Sequence, residues 1–532
     1  GIIATPSGQT TIGSLTEGTV TFQGGEIEIE EGKKGNIILK DNSLISSSGA
    51  PSGEINLWGN NLTLENNALL INSNFGEEKG GKININFDSA ITITGITEQK
   101  SLGIEPIIST PGILTQNFNQ GDSGNININA SEISLSKFGN ITSISFGEGK
   151  TSDINLNSDH LNIDGTPIIP SEPIFTSGIT TIVQATGSGG QININSNKIS
   201  ALSGGIILSQ SRNTGNSGDV TVNSNTILVK GNNGLFESII GNTSNISGEN
   251  GTIEINTESL TLEDGGKINS TSNGEAEGGN VNITANNIQL RTNSNLALSP
   301  SSITAANEQG SDLIRLVFDL PEIPTGEGGD ITITAETLEL ENSTITINNE
   351  GLGDAGNLSL LTELSILNNG TISTNAEFQG DGGNITYQAN TIIGKNESRI
   401  LANAQQGRGG QITINTEYLF GFLIRDAIVD DRTQFSEITA ISVNDPQLDG
   451  IIEINENAFI NQIESSEIQL EVIANISPPQ CFDQENGESQ FQHRKFPNHE
   501  DLLLPDWGNF PWLEITSSLP SSEEATNQNC TQ

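Results

Sequence analysis

One pattern recurs along the chain and limits the folds open to it: Gly, any residue, apolar, polar, apolar, then often Asn. The cleanest copy is Gly124-Asn125-Ile126-Asn127-Ile128-Asn129. Other close copies start at Gly81, Gly190, Gly218, Gly251, Gly279, Gly329, Gly383 and Gly410, and looser ones at Gly35, Gly53, Ser152, Gly356 and Gly450. The step is 28 residues from Gly124 to Ser152, Gly190 to Gly218 and Gly251 to Gly279, and 27 from Gly329 through Gly356 and Gly383 to Gly410. A constant step of this size marks a repeat architecture. Alternation with period two predicts a short strand at each copy.

The first apolar position is filled by Ile83, Ile126, Ile154, Ile192, Val220, Ile253, Val281, Ile331, Ile385, Ile412 and Ile452, with Ile37, Ile55 and Leu358 in looser copies. Two more apolar patches follow within a unit, as in Leu260-Thr261-Leu262 and then Lys267-Ile268-Asn269. A leucine-rich repeat would need a leucine pattern with a fixed Asn or Cys, and a propeller would need longer blades with aromatic markers. Aromatics are only 4% here. The expected fold is therefore an all-β, right-handed parallel β-helix with three-strand coils of about 27–28 residues. Successive Ile, Val and Leu side chains would stack as one core ladder. Fourteen units at the inter-strand spacing give a rod of about 65–70 Å. Asn and Gly are expected at the coil corners because both tolerate left-handed turn geometry. The longer steps predict projecting loops from Ile96 to Ser123, Gly165 to Gly187 and Leu298 to Gly328, the last with an extra strand or short helix at Leu313–Phe318. The repeat region is expected over 1–475, followed by an irregular tail at 476–532.

Composition removes several functions. Against 65 Asp+Glu stand 21 Lys+Arg, a formal net charge of −44. Such a chain has few cations with which to neutralise nucleic-acid phosphates or to dock on anionic bilayers. No nucleic-acid partner is expected. With 2 Cys and 3 His, no metal site of the Cys/His type and no cofactor are expected. No apolar run reaches the roughly 18 residues of a transmembrane helix. Met is absent even at the first position, and we expect the true start to lie upstream.

From about Tyr418 the pattern loosens. Segment Ser436-Glu437-Ile438-Thr439-Ala440 leads to Leu448-Asp449-Gly450-Ile451-Ile452-Glu453-Ile454, and a Pro-rich, aromatic tail begins near Cys481. Together with the Gly-x-Ile-x-Ile-Asn coils, these residues resemble the C-terminal portion of cyanobacterial filamentous haemagglutinin-like exoproteins, of the two-partner-secretion adhesin group. The resemblance spans nearly the whole chain. It implies an outer-membrane transporter as export partner, an extracellular or outer-cell-surface location, and adhesive contact with cell surfaces, matrix or carbohydrate. Export would allow a disulfide between Cys481 and Cys530.

Parallel β-helices also carry polysaccharide lyases and glycosidases, so an enzyme is the rival reading, and a purely structural extracellular scaffold is a third. A glycosidase needs two carboxylates flanking a bond. The best acidic cluster is Asp430-Asp431 with Arg425 and Arg432, which reads as a solvated loop. His160 and Arg408 read as turn residues, Asn140-Ile141-Thr142 as a strand instead of a glycosylation site, and Glu26 to Glu31 as a charged face in preference to a Ca²⁺ site. No catalytic residue is expected.

Overall fold

In the computed structural model the described residues are 1–23, 26–95, 111–167, 176–310, 315, 320–425 and 436–460. The chain divides into two units, Gly1–Phe459 and Ile460–Gln532, and the fold described is that of the first. It is a parallel β-helix. One sheet runs through fourteen strands in unbroken order, with two further strands beside that path, and a second sheet has fifteen. Strands stack on their equivalents one coil away, so Ile126 lies between Ile83 and Ile154, and Ile192 between Ile154 and Val220.

Each coil has three faces. In the coil from Ile192, the strand Ile192–Leu202 is one run with the burial of its side chains alternating. The alternation skips at Asn197 and Lys198, which are both exposed, and Asn197 has no register partner. The backbone bends there, so one strand supplies two faces. In the coil from Ile126 the same two arms are separate strands, Ile126–Asn129 and Glu132–Ser136. The third face is a shorter strand, Ile206–Ser211 in the Ile192 coil.

The first-face aliphatic side chains stack on one another coil by coil. Ile83, Ile126, Ile154, Ile192, Val220, Ile253, Val281, Ile331, Ile385 and Ile412 are fully buried. Ile452 is the terminal rung and only half-buried against the core. Burying a side chain of this size is worth about 1.5–3 kcal/mol, and such columns line all three faces, as Ile126, Ile128, Ile133, Leu135 and Ile141 show in one coil.

The expected first rung needs correction. Ile37 pairs with Leu62, on the second face. The first-face position of that coil belongs to Thr10, which pairs with Ile55. The cause is an antiparallel hairpin, Leu15–Gln23 with Glu26–Lys34, inserted at the bend between the two arms. It moves the Gly35 motif one face onward. Glu26 to Glu31 lie in a strand of this hairpin.

The expected loops are also too long. Each contains a regular third-face strand: Gly112–Asn117, Gly178–Val183 and Ser302–Thr304. These strands escaped notice because their inward positions are largely polar. Thr115, Asn117 and Thr181 are fully buried. Such residues satisfy carbonyls turned inward at the following corner. Asn349 Nδ2 donates to the Gly326 and Asp354 carbonyls at 2.8 and 3.0 Å, and Ser244 Oγ donates to the Gly248 carbonyl at 2.8 Å. A buried carbonyl left without a partner is costly. The Leu313–Phe318 segment lies outside the described residues, apart from Arg315.

The reason for the motif's Gly and Asn also differs from expectation. Left-handed backbone gathers at another corner, between the second and third faces, at Asn66, Asn67, Asn342, Asn369 and Asn396. The motif glycines have ordinary φ values. They are required because coils approach closely at the third-to-first corner: a Cβ on Gly356 would lie well inside 3.0 Å of the Gly329 carbonyl oxygen, and one on Gly383 equally close to Gly356. The motif's final Asn is an exposed ladder residue.

Candidate functional site

Two amide ladders run along the first face. In the inner one, Asn84 donates to Asn56, Asn127 to Asn84, Asn155 to Asn127 and Asn193 to Asn155, at 2.8 to 3.0 Å. In the outer one, Asn157 donates to Asn129 at 2.8 Å, Asn195 to Asn157 at 3.1 Å, Asn223 to Asn195 at 2.9 Å and Asn256 to Asn223 at 3.2 Å. Parallel stacking forces this chemistry, because identical side chains sit directly above one another and an amide is both donor and acceptor. Each ladder bond uses one N–H and one carbonyl lone pair, leaving another of each to face outward. Where the outer ladder meets the bend, Asn157, Asn195, Asn197, Asn223, Asn256 and neighbouring serines line a shallow trough of about 560 Å³. Glu258 is its one charged lining residue.

A larger furrow of about 860 Å³ follows the third-to-first corner from Glu277 to Ile451. Its floor is glycine and its walls carry Glu327, Asp330, Asp354 and Asp381. These aspartates serve the backbone. Asp330 accepts from the Asn357 N–H at 2.8 Å, Asp354 from the Asp381 N–H at 2.8 Å, and Asp381 from the Arg408 N–H at 2.7 Å. Each carboxylate satisfies an amide of the next coil where the corner leaves it without a strand partner. The furrow's acidity is thus explained by corner construction. Among the described residues, no group of three or more His, Cys, Asp and Glu is placed to hold a metal ion.

Two charged columns stand out by their electrostatics. Lys230, Glu263, Arg291 and Glu341 occupy one register on successive coils. Lys230 Nζ lies 2.6 Å from Glu263, and Arg291 Nε donates to Glu263 at 2.7 Å. Burial pushes the Glu263 carboxyl up, but these bonds outweigh it and hold the group below the usual carboxylate range. The other column stacks like charges. Glu308, Glu350 and Glu377 follow Asn307, Asn349 and Ala376, which are bridged in parallel register. Burial, with the neighbouring Glu350 charge, raises the Glu308 and Glu377 carboxyls.

Of the residues singled out from sequence, His160 is an exposed strand residue between Glu132 and Lys198 on adjacent coils. Arg425 lies 3.6 Å from Glu437, and Arg408 sits in the furrow wall. Asn140 donates to the Phe138 carbonyl at 2.7 Å within a third-face strand. Asp430, Asp431, Arg432, Cys481 and Cys530 lie outside the described residues. Sequence reading missed the stacked glutamates and a column of exposed Phe rings, whose members are unevenly spaced and align only once the register is known.

Comparison with known protein families, with curated proteins and with solved structures finds no match to this chain.

Proposed function

We propose that this chain is a non-catalytic, adhesin-like contact rod: the β-helical part of an exoprotein of the filamentous haemagglutinin type, exported through an outer-membrane transporter and acting at or beyond the cell surface. The coil stack supplies length and rigidity. The observation that carries a contact role is the amide trough, a nearly uncharged row of outward donors and acceptors repeated at the rung spacing on a rigid frame. Neutral carbohydrate suits such a surface, since its hydroxyls both donate and accept. The furrow aspartates, each engaged by a backbone amide, support a structural reading of the acidic residues over a hydrolytic pair.

The test is retention on immobilised neutral polysaccharides, comparing the full chain with Asn195→Thr/Asn223→Thr. Thr occupies this column two and three coils beyond Asn223, at Thr284 and Thr334, so the fold accepts it. Retention should weaken while circular dichroism stays unchanged. Equal retention would remove the trough from the account. Polysaccharide cleavage abolished by Asp330→Asn or Asp354→Asn would establish the enzyme instead.

A further inference from the structure

The third face of the early coils combines an absence of charge with exposed aromatic rings. Its outward positions in five successive coils, within 44–50, 69–75, 112–118, 140–146 and 178–184, include no acidic or basic residue. The next coil adds Arg212 alone at its edge. The first-face arms of these coils are uncharged too but present amides; the third face presents apolar side chains instead. One edge of the face is a ridge of three Phe rings. Phe75 stacks on Phe118 and Phe118 on Phe146, both with centroids 5.1 Å apart and ring planes within 15° of parallel. All three are exposed, at 51%, 44% and 43%. Ile71, Leu114, Ile144, Ile182 and Leu208 lie outward and half-buried beside them.

Three exposed phenyl rings in register are not needed to hold the coil together, because Gln184 fills the same column one coil later. Stacking fixes each ring against its neighbours, so little side-chain freedom remains to be lost on docking. Ser73, Gln116 and Thr142 share the face, and an uncharged surface with a contiguous apolar ridge of this kind marks an interaction site. Five coils with strands of six residues and a first coil with a strand of three, at about 4.8 Å per coil and about 3.3 Å per residue, make a patch of roughly 30 by 20 Å that narrows at its first coil. That is about 500 Å² per partner and about 1,000 Å² for a pair, at the lower limit of specific association.

We propose that this face is an interface between two copies of the chain, packed sheet to sheet. A second copy supplies a surface of the same size, the same absence of charge and the same rung spacing, so side-chain rows match along the whole patch. A charged partner finds no counter-charge there. The acidic remainder of each rod repels the other, so the contact is weak at low ionic strength and strengthens as salt screens that repulsion. An interface built on ion pairs has the opposite salt dependence.

The experiment is sedimentation equilibrium of the full chain across a concentration series, at about 0.05 M and about 0.5 M salt. The comparison variant is Phe118→Gln/Phe146→Gln, and Asn195→Thr on the first face is the control. The mass-average should rise from 56.2 kDa toward twice that value, at lower concentration in high salt. The Phe variant should need at least about tenfold more protein to reach the same mass, with unchanged circular dichroism, while the control follows wild type. A monomer at every concentration and salt, an association that salt weakens, or one that survives the Phe variant overturns the proposal. So does a monomeric chain that binds a neutral polysaccharide through these rings, since the occupant is then carbohydrate.

Discussion

The glycine ladder makes a quantitative demand at Gly356. This residue has an ordinary φ, so Ala fits its backbone and would gain up to about 1 kcal/mol from the less flexible unfolded chain. The obstacle is the coil below. The Gly329 carbonyl oxygen would have to recede by about 1 Å to reach the closest approach that real Cβ atoms show. Three bonds tie the two coils at this corner: Gly328 N–H to the Asp354 carbonyl at 2.9 Å, Ile331 N–H to the Asn357 carbonyl at 3.0 Å, and Asn357 N–H to Asp330 Oδ1 at 2.8 Å. A separation of that size breaks all three, at about 1 kcal/mol each. The net cost of Gly356→Ala is then about 2–3 kcal/mol. Ser152 shows how the ladder admits a side chain: it stands in this column fully buried, and its hydroxyl donates to the Gly124 carbonyl. Gly356→Ser should therefore cost less than Gly356→Ala although its side chain is larger. Urea unfolding followed by circular dichroism gives the order. Ala as stable as Gly, or Ser less stable than Ala, would refute the close-approach argument.

Other consequences concern charge and packing. Glu308 and Glu377 are raised carboxyls, so their contribution to stability is present below the ordinary Glu value and lost as pH rises through the folded-state value. Glu308→Gln should raise the urea midpoint at pH 7, with the gain over wild type vanishing near pH 4; equal gains at both pH values would contradict this. Glu263 is lowered, so the reverse holds: Glu263→Gln should cost about 1–2 kcal/mol at neutral pH, and the difference from wild type should shrink in acid. Tyr387 is fully buried in the first-face ladder between Leu360 and Ile414, with its hydroxyl lacking a well-formed hydrogen bond. Tyr387→Phe should be neutral or stabilising by up to about 1 kcal/mol, whereas Tyr387→Ala should cost about 3–5 kcal/mol; thermal melts would separate the two.

The first face was legible in the sequence because its inward positions are almost purely aliphatic and its outward ones polar. The third face was not, because Asn72 and Asn242 point inward to satisfy corner carbonyls, and Ser209 to accept from the Gly218 N–H, and these polar residues dilute the apolar signal. Ile37 was misplaced by an inserted hairpin, which local pattern cannot distinguish from a complete coil. Surface columns depend on register across insertions of unequal length. Phe75 and Phe118 are 43 residues apart and Phe118 and Phe146 28 apart, so they form a ridge only when the coils are stacked.

The stacking register across the longest insertion is the most exposed part of the account, and a disulfide measures it directly. Val281 and Ile331 are 50 residues apart, yet Asn282 and Thr332 stand side by side, with Ser359 one coil further. Adjacent parallel strands place the Cα atoms at about 4.8 Å, within disulfide range. In a Cys481→Ser/Cys530→Ser background, Asn282→Cys/Thr332→Cys should form an intramolecular disulfide under mild oxidation without loss of β signal, and Asn282→Cys/Ser359→Cys should remain reduced. Bridging of the second pair in preference to the first would contradict the parallel, in-register coil stack.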